Sequence, residues 1–99
     1  MKSRDAIPPS EGSVIATPLD YSEELYRFYL EILDVDGTAE RVLRSFLGPR
    51  HAKRLHRLAH SFEFAAPIQC APDVIRLLTQ ENIAVYQLVR QAKAEGTWR

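Results

Sequence analysis

The chain has 99 residues, 26% of them charged and 45% hydrophobic, and its thirteen bases balance its thirteen acids. One domain's length and an ordinary globular composition exclude a multidomain enzyme and a disordered tail, and no apolar run approaches the ~20 residues of a bilayer-spanning helix. The single Cys70 excludes an internal disulfide or a multi-cysteine zinc site, and the first dozen residues lack the apolar core of a secretory signal, so a cytoplasmic protein is expected.

The charge is unevenly placed. Residues 1–40 hold nine acids and three bases, residues 41–60 hold six bases and no acid, and residues 61–99 hold four of each. A basic middle segment either neutralises the acidic one or offers a patch to an anionic partner.

Residues 1–13 combine Pro8, Pro9 and Gly12 with polar groups and no periodicity, the pattern of a flexible arm ahead of a single helical domain over 14–99. The run SVIATPL (13–19) is short and apolar, suited to docking on the body or to an edge strand. From Asp20, an N-cap followed by Glu23 at capping-box spacing predicts a helix, with Tyr21, Leu25, Phe28, Tyr29, Ile32 and Leu33 on its apolar stripe. Asp36-Gly37 ends it. Thr38 then caps a second helix with Ala39, Val42, Leu43 and Phe46 inward, and Gly48 ends that one.

Pro49 suits the first turn of a third helix, where its missing N–H is not needed. In helical phase Leu55, Leu58, Ala59, Phe62 and Ala66 share one side, while Arg50, Lys53, Arg57 and His60 share the other. Pro72-Asp73 starts a last helix with Val74, Ile75, Leu77 and Leu78 inward, continuing through Val85, Leu88, Val89 and Ala92 to Gly96. Trp98 is expected to fold back onto the body. The fold expected is all-α, a small bundle of about four helices. One alternative stands beside it. Phe62, Phe64, Ala66, Ile68 and Cys70 alternate as a strand does, and residues 82–89 are β-branched, so a C-terminal βαβ unit in an α+β fold also fits.

His56, His60 and Glu63 fall in one helical sector, the spacing of a metal-binding pair plus a third ligand, but a fourth ligand and a His-Glu zincin pattern are lacking, and no metal site is expected. Cys70 lies between apolar residues with no histidine near it in sequence, so a buried inert thiol is expected. Gly-rich phosphate loops, nucleophile elbows and dinucleotide fingerprints are absent, so neither an enzyme nor a cofactor is expected. The expected function is a protein-interaction or regulatory module that binds a macromolecule through Arg50, Lys53, Arg54, Arg57, His60 and Phe64. A nucleic acid is the alternative partner and a homo-oligomer is allowed, without membrane association.

Two local resemblances give the alternatives a form. Ala59-His60-Ser61-Phe62 resembles the phosphoacceptor helix of histidine-containing phosphotransfer domains. Glu63 and Phe64 stand where that family has lysine and glycine, so the resemblance implies a degenerate, non-phosphorylated relative. Val85-Tyr86-Gln87-Leu88-Val89-Arg90 is similar to the recognition helix of excisionase-type helix-turn-helix domains, with Asn82 at the turn and no wing after it. That resemblance implies a DNA-binding role.

Overall fold

The computed structural model describes residues 14–99, so the arm expected over 1–13 lies outside the described residues. The chain runs through strand β1 (Glu24–Ile32), helix α1 (Thr38–His51) with a 3₁₀ extension (Ala52–Arg54), strands β2 (His56–Arg57) and β3 (Ser61–Ala66), helix α2 (Cys70–Gln80) and strand β4 (Val85–Thr97). The strands form one antiparallel sheet in the order β2-β3-β1-β4. This βαββαβ order, with β1 inserted between β3 and β4, is the split βαβ or ferredoxin-like arrangement. The fold is α+β, which overturns the all-α helical bundle over 14–99. The α+β alternative fits, with β1 separating the two strands that α2 connects.

The first predicted helix is β1. Leu25, Tyr26, Phe28, Tyr29, Leu30, Ile32 and Leu33 are all apolar or aromatic, so a helical stripe and a strict alternation are both filled. Aromatic and β-branched side chains fit a pleated surface better than a helix, where they lose rotamer freedom. Tyr26, Phe28, Leu30 and Ile32 turn to the core; Arg27, Tyr29 and Glu31 turn to the opposite face. In β3, Phe62, Phe64 and Ala66 lie opposite Leu30, Phe28 and Tyr26, and the Phe28 and Phe64 rings stack at 5.6 Å.

The predicted third helix is the second correction. Gly48 adopts a φ of 79°, which interrupts α1 where a stop was expected, and Pro49 starts a further turn. That turn ends at Arg54 instead of continuing to Ala66. Leu58, placed inward by the helical phase, is 46% exposed in the β2–β3 hairpin, while Leu55 and Phe62 are buried. Helix α1 buries Ala39, Leu43 and Leu47, and α2 buries Val74 and Leu78, against the same face of the sheet.

Two carboxylates organise the ends of these elements. Gly37 occupies the N-cap of α1 and has no side chain to cap with, so Asp34 reaches in from upstream. Its buried carboxylate accepts the amides of Ala39 (3.0 Å) and Glu40 (3.2 Å). Arg57 from β2 grips the same residue, donating to Asp34 Oδ2 and to its carbonyl, both at 2.8 Å, and to Glu40 Oε1 at 3.1 Å. Asp20, expected to cap a helix, caps a turn instead. It accepts the amides of Ala16 (2.8 Å) and Ser22 (2.9 Å) and the Tyr26 hydroxyl (3.3 Å), while Gln69 Nε2 donates to the Pro18 and Asp20 carbonyls. This docks residues 14–19 of the SVIATPL run on the body as turns.

The Ser22 hydroxyl, with the Ala16 and Ser22 amides, holds the Asp20 carboxyl down from its ordinary 3.8 to about 2. A carboxyl depressed in the folded state binds fewer protons than in the unfolded chain between those values. Stability is therefore intact above pH 4 and falls as pH drops toward 2, by on the order of 1–2 kcal/mol from this group. Urea titrations across that interval are expected to show the loss, and Asp20→Asn to remove this pH-dependent component.

Candidate functional site

The helices cover one face of the sheet, and among the described residues the other carries no helix. On it, register pairs Arg27 with Ala65, Tyr29 with Glu63 and Glu31 with Ser61, and β2 brings His56 opposite Glu63. At the β4 end of this face the strand closes down. Gly96 there has a φ of 96°, and a Cβ on it would make ordinary van der Waals contact, 3.6 Å from Leu25 Cδ1 and 3.9 Å from Arg54 Nη2. Leu25 is buried although it points away from the core.

Between these elements lies a groove of about 430 Å³ lined by Arg27, Arg54, His56, Glu63, Ala65, Lys93 and Glu95, among others. Lys93 is paired with Glu24. Among the described residues, Arg27 and Arg54 have no carboxylate within ion-pair distance, and both are exposed along with His56. Two guanidinium groups without a carboxylate partner and an imidazole that faces Glu63 thus meet from β1, the α1 extension and β2, with Glu95 also in the lining. Such a surface can take a carboxylate or phosphate through forked hydrogen bonds.

The six residues expected to bind a partner do not share a face. Arg50 and Lys53 are exposed on the last turn of α1 and its extension, and Arg54 lines the groove. Arg57 is engaged by Asp34 and Glu40, an internal ion pair that holds β2 to α1. His60 sits in the hairpin turn at the other end of the sheet, beside Glu31, Leu33 and Tyr86. Phe64 is 2% exposed and belongs to the core. The basic helix face is therefore dissolved by the strand conformation of residues 56–66. Tyr86, by contrast, is 70% exposed.

The other expectations separate in the same way. His56 meets Glu63 across β2 and β3, but His60 is elsewhere, and no group of three metal-ligating side chains occurs among the described residues. His60 is on no helix, which removes the phosphotransfer-type acceptor geometry. Val85–Arg90 lies in β4, which removes the recognition helix. Burial, with Asp73 and Glu23 nearby, pushes the Cys70 thiol up to about 11, so it is a poor nucleophile at neutral pH. Trp98 does pack inward: its ring stacks on His51 at 4.5 Å, and His51 Nε2 lies 2.7 Å from its carbonyl oxygen. Among the described residues no helix is long and apolar enough to cross a membrane.

Arg27, Lys93 and Glu95 were missed from sequence because the helical phase scattered them, and His56 stood out only as a metal-type partner of His60. Period-two alternation in ELYRFYLEI was the signal that places Arg27 on the solvent side. No protein-family model matches the chain, and neither the curated proteins nor the solved structures give a match. The topology itself hosts many unrelated functions, so the groove alone carries the functional inference.

Proposed function

We propose that this chain is a non-catalytic, cytoplasmic interaction module that holds an acidic segment of a partner protein on the helix-free face of its sheet. The observation that carries this is the meeting of Arg27, Arg54 and His56 at one groove without a carboxylate partner for either arginine among the described residues. Desolvating an unpaired guanidinium against a complementary carboxylate gives specificity and a fast encounter rate.

A nucleic acid fits this face less well. Sheets of this topology that bind single strands stack bases on aromatic side chains of the central strands. Here β3 presents Ser61, Glu63 and Ala65 on that face, leaving Tyr29 as the aromatic of the two central strands.

The test is fluorescence anisotropy with a labelled oligo-glutamate peptide and, in parallel, a labelled oligo-uridine. The peptide is expected to bind at low salt, and Arg27→Glu with Arg54→Glu to weaken it by roughly tenfold or more, about 1.4 kcal/mol or above, without changing the melting temperature. Equal binding by the double variant would sink the proposal. Tighter binding of the oligo-uridine, lost in the same variant, would replace it with the nucleic-acid alternative.

A further inference from the structure

The two edges of the sheet are unequal. The β2 edge has two residues, too short to template another strand, whereas β4 runs for thirteen and pairs on one side only, with β1, among the described residues. Register shifts interrupt the β1–β4 ladder near both ends and leave Phe28–Glu31 against Gln87–Arg90 as its regular stretch. A row of unsatisfied backbone donors and acceptors on an edge strand is a template for an added strand.

A second groove, of about 400 Å³, lies on the helix side of that same stretch. Phe28 and Ile68 contribute to its lining, Ala71, Pro72 and Ile75 of α2 form one wall, and Leu88 and Arg90 come from β4. Ala16, Thr17 and Pro18 also line it, and apart from Thr17 and Arg90 the lining is apolar. That guanidinium donates to the Gln91 carbonyl and sits 6.0 Å from the Tyr26 ring, with no carboxylate partner among the described residues.

We propose that β4 and α2 form a peptide-docking site in which an extended segment of a partner protein adds antiparallel to Gln87–Arg90 as a fifth strand. Alternate aliphatic side chains of that segment enter the groove, and an acidic side chain meets Arg90. Backbone hydrogen bonds along the edge supply affinity, and the groove selects alternate side chains. Charge decides against a second copy of this chain as the occupant. A second β4 paired antiparallel over Gln87–Arg90 would set Arg90 against Gln87 and supply it no carboxylate. An acidic strand supplies one. This site is on the face opposite the Arg27–Arg54 groove and does not depend on it.

The probe is the peptide acetyl-Thr-Val-Thr-Val-Thr-Glu-Thr-amide, which places two valines and a glutamate on one side of a strand. Titrated into ¹⁵N-labelled full chain, it is expected to shift amides over 86–91 and 71–75 and to slow their exchange. Arg90→Glu is expected to weaken it by roughly tenfold. Ile75→Lys, an exposed position whose cation would occupy the groove, is expected to weaken it too. The Arg27→Glu, Arg54→Glu variant is expected to bind it unchanged, so the two sites fail or stand separately. Absence of amide shifts in β4, undiminished binding by Arg90→Glu, or a dimer by sedimentation whose β4 amides are protected before peptide is added would each overturn the proposal.

Discussion

Phe62→Ala is expected to destabilise the chain by about 3–5 kcal/mol, most of the stability available to a domain of this size. Phe62 is 1% exposed on β3, opposite Leu30, and the Arg57 guanidinium lies 5.3 Å from its ring centroid. Alanine there leaves a cavity that the sheet cannot close, because both neighbouring strands are held in register by backbone hydrogen bonds. Leu58→Ala, at the exposed hairpin position, is expected to cost no more than about 0.5 kcal/mol. Urea denaturation of the pair tests the strand phase directly. A helix would make both substitutions severe, so similar losses at the two positions would contradict the sheet.

The second large effect is expected at Asp34. Asp34→Ala removes the acceptor for two amides at the start of α1 and leaves Arg57 without its buried partner. The expected cost is about 2–4 kcal/mol, combining a lost cap with a broken, partly buried ion pair. Burial raises the Asp34 carboxyl, but the hydrogen bonds from Arg57, Ala39 and Glu40 outweigh it and leave the group below its ordinary value. Its contribution is therefore complete at neutral pH and disappears as pH falls through the carboxylate range. Arg57→Ala is expected to cost less, since both amides still reach Asp34, and the double variant to cost less than the sum of the single ones. Additive losses in this cycle would mean that the ion pair couples nothing. The ion pair also explains why the basic segment is not one binding surface. Arg57 is committed to the fold, and Arg54, three residues earlier, is left for the groove.

How far the sequence led can be judged element by element. Helix α1 was legible, with Ala39 and Leu43 inward and a break at Gly48, and so was the first part of α2, with Val74 and Leu78 inward. But α2 ends at Gln80, Ile75 is exposed, and the expected continuation to Gly96 is strand β4. Each helix has a single amphipathic phase and a turn residue at its end. Gly48 and Pro49 act through their own backbone torsions, so their effect needs no tertiary partner. The burial expected of Cys70 and the inward packing expected of Trp98 also followed from the sequence.

Strands β1, β3 and β4 were not determined locally. In ELYRFYLEI a helical stripe and an alternating face are filled by overlapping sets of residues, and in SFEFAA the alternation competes with a helical phase inherited from Pro49. What resolved them is pairing between residues far apart in the chain: Phe28 with Phe64, Leu30 with Phe62, Leu30 with Leu88. A strand satisfies its backbone only through another strand, so its stability belongs to the sheet and not to the segment. The groove has the same origin. Arg27, Arg54 and His56 come from three elements, and only the register of the sheet sets them on one face. Local sequence patterns determined the two helices and a basic middle; the tertiary structure decided which of those bases hold the fold together and which face outward.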